Sequence, residues 1–257
     1  MPVSDHHDDL ELMTHAAEGA GNLALKFFGN NPKTWIKGKD SSVSEADMAA
    51  DAYLKDMLCA ARPNYGWLSE ETVDTEHRLQ KKRIFIADPI DGTRGFLSGN
   101  ADWCVSLAMI EDGVPQAAVL YAPALKKIYT AQRGHGAFCD GQKLDGGAKR
   151  AANDYLIAGT PLEKEWASFT AYSKAAFIPS LALRLARVAS GELTATFSRA
   201  NAHDWDIAGA HLLVEEAGGL FVDGKGTVPR YNRVQLTHPP LAAFSAHVRD
   251  ELEAKAS

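Results

Sequence analysis

The chain has 257 residues, enough for one large domain or two small interlocked ones. With 46% hydrophobic and 23% charged residues, its composition is that of a globular protein and excludes wholesale disorder. A net charge of −6 gives no support to nucleic-acid binding, which needs a basic face. No apolar run reaches the roughly 20 residues of a membrane span.

Cysteine usage and the N-terminus indicate the compartment. Cys59, Cys104 and Cys139 are an odd number at unrelated spacings, which is typical of reduced thiols in a cytoplasmic protein. The first ten residues lack the basic and apolar regions of a secretory signal. We therefore expect a cytoplasmic protein.

The first half of the chain predicts two helices followed by strands. Apolar residues at helical spacing predict helices over 8–28 and 44–61. Four short apolar runs separated by turns predict strands, and successive strands of this kind predict an antiparallel meander. These strands are expected at 84–87, 105–111, 117–121 and 127–131.

The second half predicts mixed elements. Strands are expected at 155–158, 193–197, 221–222 and 241–245, and helices at 166–176, 180–189, 206–217 and 248–255. Gly218-Gly219 is a suitable stop for the helix at 206–217. Helices beside antiparallel and mixed sheets define an α+β or layered α/β fold. We expect a single unit over 1–257, with Gly146-Gly147 as the seam between subdomains 1–146 and 147–257.

The segment Asp88-Pro89-Ile90-Asp91-Gly92-Thr93 follows an apolar run and is rich in oxygen donors. A strand that ends at Asp88 delivers one carboxylate, and the proline favours a turn that returns Asp91 toward it. The Ile90 carbonyl is then free to point inward, Gly92 leaves room for a phosphate, and Thr93 offers a hydroxyl. The segment predicts a site for a hard cation such as Mg²⁺ together with a phosphate.

Three further motifs with acidic residues lie elsewhere in the chain. Ser69-Glu70-Glu71 precedes it, while Trp205-Asp206-Ile207-Ala208-Gly209 and Glu215-Glu216-Ala217-Gly218-Gly219 follow it. In order and over nearly the whole chain, these motifs resemble those of the inositol monophosphatase family. This superfamily of Mg²⁺-dependent, lithium-sensitive phosphatases includes bisphosphate nucleotidases and fructose-bisphosphatases. The resemblance implies a layered α-β-α-β-α sandwich, a homodimer, and hydrolysis of a small phosphorylated metabolite by metal-activated water.

The resemblance also implies two metal positions. Glu70, Asp88 and the Ile90 carbonyl would hold the first metal, and Asp88, Asp91 and Asp206 the second. Two or three Mg²⁺ ions per site are expected, with Li⁺ and Ca²⁺ as inhibitors.

Catalytic and phosphate-binding roles follow from the same resemblance. Glu70, Thr93 and Asp47 form the expected catalytic group, in which Asp47 and Thr93 orient the attacking water. Backbone N–H groups at Gly92 and Thr93 would hold the phosphate. No Ser/His/Asp or Cys/His arrangement indicates a covalent intermediate.

Departures from the family pattern bear on the substrate. Inositol-phosphate enzymes of the family usually read D-G-T-T-N-F, whereas this chain has Arg94 after the threonine. Inositol-specific members carry an acidic residue seven positions before the metal-binding aspartate, and Arg199 stands there. Arginine is a good bidentate partner for a second phosphate, and Arg184 is a third candidate for substrate binding.

These features favour the 3′(2′),5′-bisphosphate nucleotidase branch, with adenosine 3′,5′-bisphosphate converted to AMP. An inositol-1-phosphate or related sugar-phosphate phosphatase is the alternative, followed by a histidinol-phosphate phosphatase. A regulatory binding protein on the same fold is the alternative that is not an enzyme. Since Glu70, Asp91, Thr93 and Asp206 are all present, the sequence favours an enzyme.

Overall fold

A computed structural model describes residues 6–37, 41–147, 156–158 and 173–249. Within these ranges it has five α-helices and fourteen strands. The helices are α1 (His6–Leu25), α2 (Glu45–Ala61), α3 (Thr93–Leu97), α4 (Leu181–Ala189) and α5 (Asp204–Glu216). The strands are β1 (Thr34–Lys37), β2 (Ser41–Ser44), β3 (Gly66–Ser69), β4 (Arg83–Asp91), β5 (Cys104–Glu111), β6 (Val114–Ala122), β7 (Lys127–Gln132), β8 (Gly136–Cys139), β9 (Gln142–Lys143), β10 (Leu156–Ala158), β11 (Ser173–Lys174), β12 (Ala195–Phe197), β13 (Leu220–Asp223) and β14 (Leu241–Phe244).

The larger sheet has seven strands in the order β3-β4-β5-β6-β7-β8-β9. Strand β3 is parallel to β4, and every later pair is antiparallel, which confirms the predicted meander. Side chains alternate between the two faces of the sheet. On β4, Phe85 and Ala87 pack with residues of α1 and α2, whereas Ile84 and Ile86 pack with residues of α4 and α5.

A second sheet of five strands, in the order β11-β10-β12-β14-β13, covers the other side of α4 and α5. Its outer face carries Phe197 and Phe244, which pack with Val248 from a helical turn at 246–249. The layers therefore run helix, sheet, helix, sheet, helix, as the family resemblance implies.

Gly209 sets how closely α5 approaches the larger sheet. A Cβ atom at this position would lie 2.8 Å from the Leu107 carbonyl oxygen of β5, so a larger side chain would push the helix away. Gly209 lies one turn after Asp206, and the close contact holds the start of α5 against the end of β4.

Several predicted bounds need correction. Strand β4 continues to Asp91 with a register irregularity between Asp88 and Asp91, where a turn was expected. Proline lacks the N–H that a ladder needs, so the segment bulges and then pairs again. Helix α5 begins at Asp204, because its cap is His203. In the helix predicted at 166–176, residues 166–172 lie outside the described ranges, and Ser173–Lys174 form an edge strand beside β10.

Candidate metal and phosphate site

An open cleft of about 1420 Å³ lies beside the end of β4 and the N-termini of α3, α4 and α5. Ten of the residues predicted to form the site line it: Glu70, Asp88, Ile90, Asp91, Gly92, Thr93, Arg94, Arg184, Arg199 and Asp206. The remaining predicted residue, Asp47, does not line the cleft but contacts Thr93. The fold thus brings together groups that lie more than 130 residues apart in sequence.

Three carboxylates form the centre of the site. Asp88, Asp91 and Asp206 each offer an oxygen, and these oxygens lie within 4.8 Å of one another. Asp88 and Asp91 are buried, at 2% and 7% exposure. Burial, together with repulsion from Glu70 and the other acids, raises the pKa of Asp88 well above its ordinary value. Burial and then the charge of Asp91 raise the pKa of Asp206 to about 7.

Glu70 lies at the edge of this cluster, directly after β3. Burial, followed by repulsion from Asp206, raises its pKa to about 8. The backbone on either side of Glu70 is fixed by Asp51, which accepts hydrogen bonds from Ser69 Oγ and, at 2.7 Å, from Thr72 Oγ1. Lys37 Nζ donates to the Glu70 carbonyl oxygen, so the loop is held from both sides.

Asp91 is held by the N-terminus of α4. Its Oδ2 atom accepts hydrogen bonds from Ser180 Oγ and, at 2.7 Å, from the Ala182 N–H. Ser180 is also the N-cap of α4 and accepts from the Leu183 N–H at 3.0 Å. Donors at a helix N-terminus stabilise a carboxylate in its charged form. The Oδ2 atom of Asp91 is therefore fixed by protein donors, which orients this carboxylate beside the cleft.

Asp206 is held by a capping interaction at the start of α5. Its Oδ2 accepts from the His203 N–H at 2.7 Å. The preceding turn is fixed by Asp204, which is fully buried and contacts His238 Nε2 at 2.7 Å and the Asn232 N–H at 2.9 Å. A buried charge needs such partners, and these partners also fix the direction of α5.

Thr93 contacts two acceptors with its single hydroxyl. Oγ1 lies 3.1 Å from Asp47 Oδ1 and 3.0 Å from the Ile90 carbonyl oxygen. Asp47 is in turn oriented by Ser44, whose N–H and Oγ donate to Asp47 Oδ2 at 2.8 and 2.6 Å. Asp47 and Thr93, predicted to act together, are therefore in direct contact.

Gly92 is required by the backbone at the start of α3. It caps this helix with a φ of +95°, in the left-handed region that favours glycine. A Cβ atom here would lie 3.2 Å from the Asp102 carbonyl oxygen and from Ser180 Cα. The glycine lets β4, α3 and the start of α4 meet at one point.

The donor set fits a hard divalent cation. Mg²⁺ prefers carboxylate and carbonyl oxygens, and Asp88, Asp91, Asp206, Glu70 and the Ile90 carbonyl are groups of this kind around the cleft. Burial first, and repulsion between the acids second, raises the pKa of Glu70, Asp88 and Asp206. A divalent cation relieves that repulsion, so the cluster is suited to bind one.

The basic candidates occupy different positions around the cleft. Arg94 and Arg199 are exposed at its rim, whereas Arg184 projects from α4 and is largely buried. Arg184 Nη1 reaches the Phe197 carbonyl oxygen at 3.4 Å, and its Nε is buried with no hydrogen-bond partner in the described part of the chain.

Sequence reasoning missed several residues that hold the site in place. Asp51 lies one helical turn after Asp47 and shares its face of α2, a spacing that could have indicated it. Ser180 precedes an apolar helical run, the usual signal for an N-cap. His238 lies 34 residues from Asp204, and no local pattern in the sequence connects the two.

A layered α+β fold with buried carboxylates beside a glycine-threonine turn is the architecture of a metal-dependent phosphatase. Comparison with known proteins agrees. The family model described as "Inositol monophosphatase family" matches residues 7–254. The chain therefore belongs to the inositol monophosphatase family, whose members are metal-dependent phosphatases that typically use Mg²⁺ and act on small phosphorylated substrates.

Three relatives show how far the likeness extends. The inositol-1-monophosphatase of Rhizobium meliloti (strain 1021) is 34% identical over 233 residues, which cover 84% of this chain and 86% of that protein. The crystal structure of extragenic suppressor protein suhB from Bartonella henselae is 32% identical, with a TM-score of 0.81 over 96% of this chain and 97% of that one. CysQ from Bacteroides thetaiotaomicron is 22% identical, with a TM-score of 0.76 over 93% and 97%, and shows the fold alone.

No helix in the described ranges is long and apolar enough to cross a membrane.

Proposed function

We propose that this chain hydrolyses a small phosphate monoester in the cleft with Mg²⁺, and that it prefers a 3′(2′),5′-bisphosphate nucleotide such as adenosine 3′,5′-bisphosphate. The observation that carries the phosphatase assignment is the cluster of Asp88, Asp91 and Asp206 oxygens within 4.8 Å, beside the contact between Thr93 and Asp47. Two or three Mg²⁺ ions and inhibition by Li⁺ and Ca²⁺ are part of the proposal.

Each residue has a proposed task. Glu70, Asp88 and the Ile90 carbonyl hold one metal, while Asp88, Asp91 and Asp206 hold the other. When bound, Mg²⁺ supplies the Lewis acidity that stabilises phosphoryl charge and makes water a competent nucleophile near neutral pH.

The protein's own groups position the reactants. Glu70 and the Thr93–Asp47 pair accept and orient the protons of the attacking water. Backbone N–H groups at Gly92 and Thr93 hold the phosphoryl oxygens where charge develops. Arg94, Arg184 and Arg199 bind the rest of the substrate.

Two residues at the rim of the cleft support a nucleotide as the substrate. Arg199 stands where inositol-specific relatives are expected to carry an acid, and it is exposed beside the cleft. Phe177 lines the cleft and is 81% exposed, so its ring is free to stack on a nucleobase.

Inositol-1-phosphate is the second candidate, and the similarity to the Rhizobium meliloti enzyme favours it. The comparison that separates the two is Mg²⁺-dependent phosphate release from adenosine 3′,5′-bisphosphate and from inositol-1-phosphate, measured as kcat/KM side by side. We expect a ratio of tenfold or more for the nucleotide, about 1.4 kcal/mol of transition-state binding. A preference for inositol-1-phosphate would leave the metal-dependent mechanism standing and overturn the substrate assignment.

The control for the mechanism is Asp91→Asn, which weakens a proposed metal ligand. We expect turnover to fall by orders of magnitude on both substrates. Turnover near that of the wild type would contradict the proposed metal positions.

A further inference from the structure

Arg184 is an unusual cation in this cleft because its surroundings satisfy so little of its hydrogen-bonding capacity. A guanidinium has five N–H donors. The only protein acceptor found for Arg184 in the described ranges is the Phe197 carbonyl oxygen, at 3.4 Å from Nη1. Its Nε is buried without a partner. A buried donor left unpaired destabilises the protein, so this arrangement suits a site that a ligand completes.

The position of Arg184 is fixed by α4. It lies one turn after Ser180, and its N–H donates to the Ser180 carbonyl oxygen at 3.2 Å. Asp91, which Ser180 also binds, attracts the guanidinium, although burial has the larger effect and lowers the pKa of Arg184. The side chain therefore stands between the carboxylate cluster and the end of β12, where Arg199 follows two residues after Phe197.

Charge in the cleft changes once divalent ions are bound. Among the described residues that line the cleft, four carry carboxylates and four are lysine or arginine: Glu70, Asp88, Asp91, Asp206, Arg94, Lys174, Arg184 and Arg199. Divalent cations on the carboxylates would leave the lining with a net positive charge. The phosphoryl group that is transferred would neutralise only part of that charge.

We infer that Arg184 anchors a second anionic group of the substrate, at a subsite between α4 and the end of β12, with Arg199 at its outer edge. This inference rests on the proposed function, because it assigns the first phosphate to the carboxylate side. The ligand class is a phosphate ester that carries a second phosphate, and Arg184 is the residue that determines specificity for it.

The test uses two pairs of esters that differ only in the second phosphate. Adenosine 3′,5′-bisphosphate is compared with adenosine 3′-monophosphate, and inositol 1,4-bisphosphate with inositol-1-phosphate. For wild type, Arg184→Gln and the control Arg187→Gln, the ratio of kcat/KM within each pair is measured. Arg187 lies on the same helix but pairs with Asp102 and Glu192 away from the cleft lining.

We expect the wild type to favour the bisphosphate of at least one pair by tenfold or more. Arg184→Gln should lower that ratio at least tenfold, and Arg187→Gln should keep it. Arg184→Lys retains the charge but loses the planar fork, so its kcat/KM ratio should lie between those of the two glutamine variants. This variant replaces Arg184→Gln in the test if Arg184→Gln does not fold. Ratios near one for the wild type in both pairs, or an unchanged ratio in Arg184→Gln, would overturn the inference.

Binding separates this inference from the proposed function. If none of the four esters releases phosphate with Mg²⁺, the proposed function fails. Calorimetric titration of adenosine 3′,5′-bisphosphate, with Ca²⁺ in place of Mg²⁺, then decides the inference. Binding at least tenfold weaker to Arg184→Gln than to Arg187→Gln supports the subsite, and equal binding overturns it.

Discussion

Thr93 has one hydroxyl proton and two acceptors, the Asp47 carboxylate at 3.1 Å and the Ile90 carbonyl at 3.0 Å. The hydroxyl can donate to only one of them at a time. A cation on the Ile90 carbonyl would occupy that acceptor and direct the proton to Asp47. The oxygen lone pairs of Thr93 would then be free to accept a hydrogen bond from water.

Thr93→Val keeps the shape of this side chain and removes the hydroxyl. We expect kcat at saturating Mg²⁺ to fall by about 100-fold or more, within the range for lost proton-transfer groups. Thr93→Ser, which restores the hydroxyl, should stay within about tenfold of wild type. Phosphate release measured on both variants checks this. Equal kcat values for the valine and serine variants would show that the hydroxyl has no part in the reaction.

At the scale of elements, Ser180 at the N-terminus of α4 has two roles: it caps the helix, and it donates a hydrogen bond to Asp91, a proposed metal ligand. Ser180→Ala removes both the cap to Leu183 and the hydrogen bond to Asp91. We expect the free energy of unfolding to fall by about 1–2 kcal/mol and Mg²⁺ affinity to fall with it, because Asp91 loses a donor. Denaturant unfolding and Mg²⁺ titration measure the two effects.

Ser190→Ala is the matched control at the other end of α4, where Ser190 Oγ donates to the Arg187 carbonyl oxygen at 3.1 Å and accepts from the Glu192 N–H at 3.4 Å, outside the cleft lining. It should change stability by less than about 0.5 kcal/mol and leave Mg²⁺ affinity as in the wild type. If the two variants lose the same Mg²⁺ affinity, Ser180 has no special connection to the site.

The C-terminal end of α5 is connected to the turn between β7 and β8 by a partly buried ion pair. Glu215 contacts His211 at 3.1 Å and Arg133 at 2.8 Å. Burial opposes ionisation of Glu215, but the bonds from His211 and Arg133 outweigh it and lower its pKa to about 2. A lowered pKa in the folded state adds stability above the unfolded value near 4.5, and this stability is lost as pH falls toward 2.

Glu215→Gln should therefore destabilise the protein at pH 7, and the difference from wild type should shrink as pH drops below about 4.5. Urea midpoints from pH 7 to pH 3.5 measure it. Glu192→Gln is the comparison, because Glu192 and Lys127 form an exposed pair that contributes about 0–1 kcal/mol. A Glu215→Gln difference that is constant with pH would contradict the shifted pKa.

The same elements show what a sequence can predict. The meander from β4 to β7 and helix α5 could be predicted because buried strands and helices repeat their apolar residues at a fixed period. Strand β1 is exposed at all four positions, so it has no such period. Strand β3 is formed by parallel pairing with β4, a contact between distant residues that no local pattern shows. Asp88, Asp91 and Asp206 were found through their motifs, whereas His238 was not, since its contact with Asp204 exists only in the folded chain.

At the scale of the whole molecule, the carboxylate cluster joins distant parts of the chain. Asp88 and Asp91 come from β4 in the larger sheet, while Asp206 lies in the first turn of α5, the helix packed between the two sheets. The cluster therefore exists only when these parts are assembled. A cation that binds the assembled cluster, but not the unfolded chain, stabilises the entire fold by linkage.

Mg²⁺ at 100 times its Kd should add about 2.7 kcal/mol, a rise in Tm of roughly 5–10 °C for a chain of this size. Asp88→Asn should remove that rise. It should also raise the Tm of the metal-free protein above that of metal-free wild type, because one buried charge is gone and the amide oxygen still accepts the Ile90 N–H. Thermal unfolding with EDTA and with Mg²⁺ measures both effects. Asp223→Asn is the control, because Asp223 lies outside the cleft lining, and it should show the same rise in Tm with Mg²⁺ as the wild type. If Asp88→Asn shows that rise as well, the stabilising ion does not bind at Asp88.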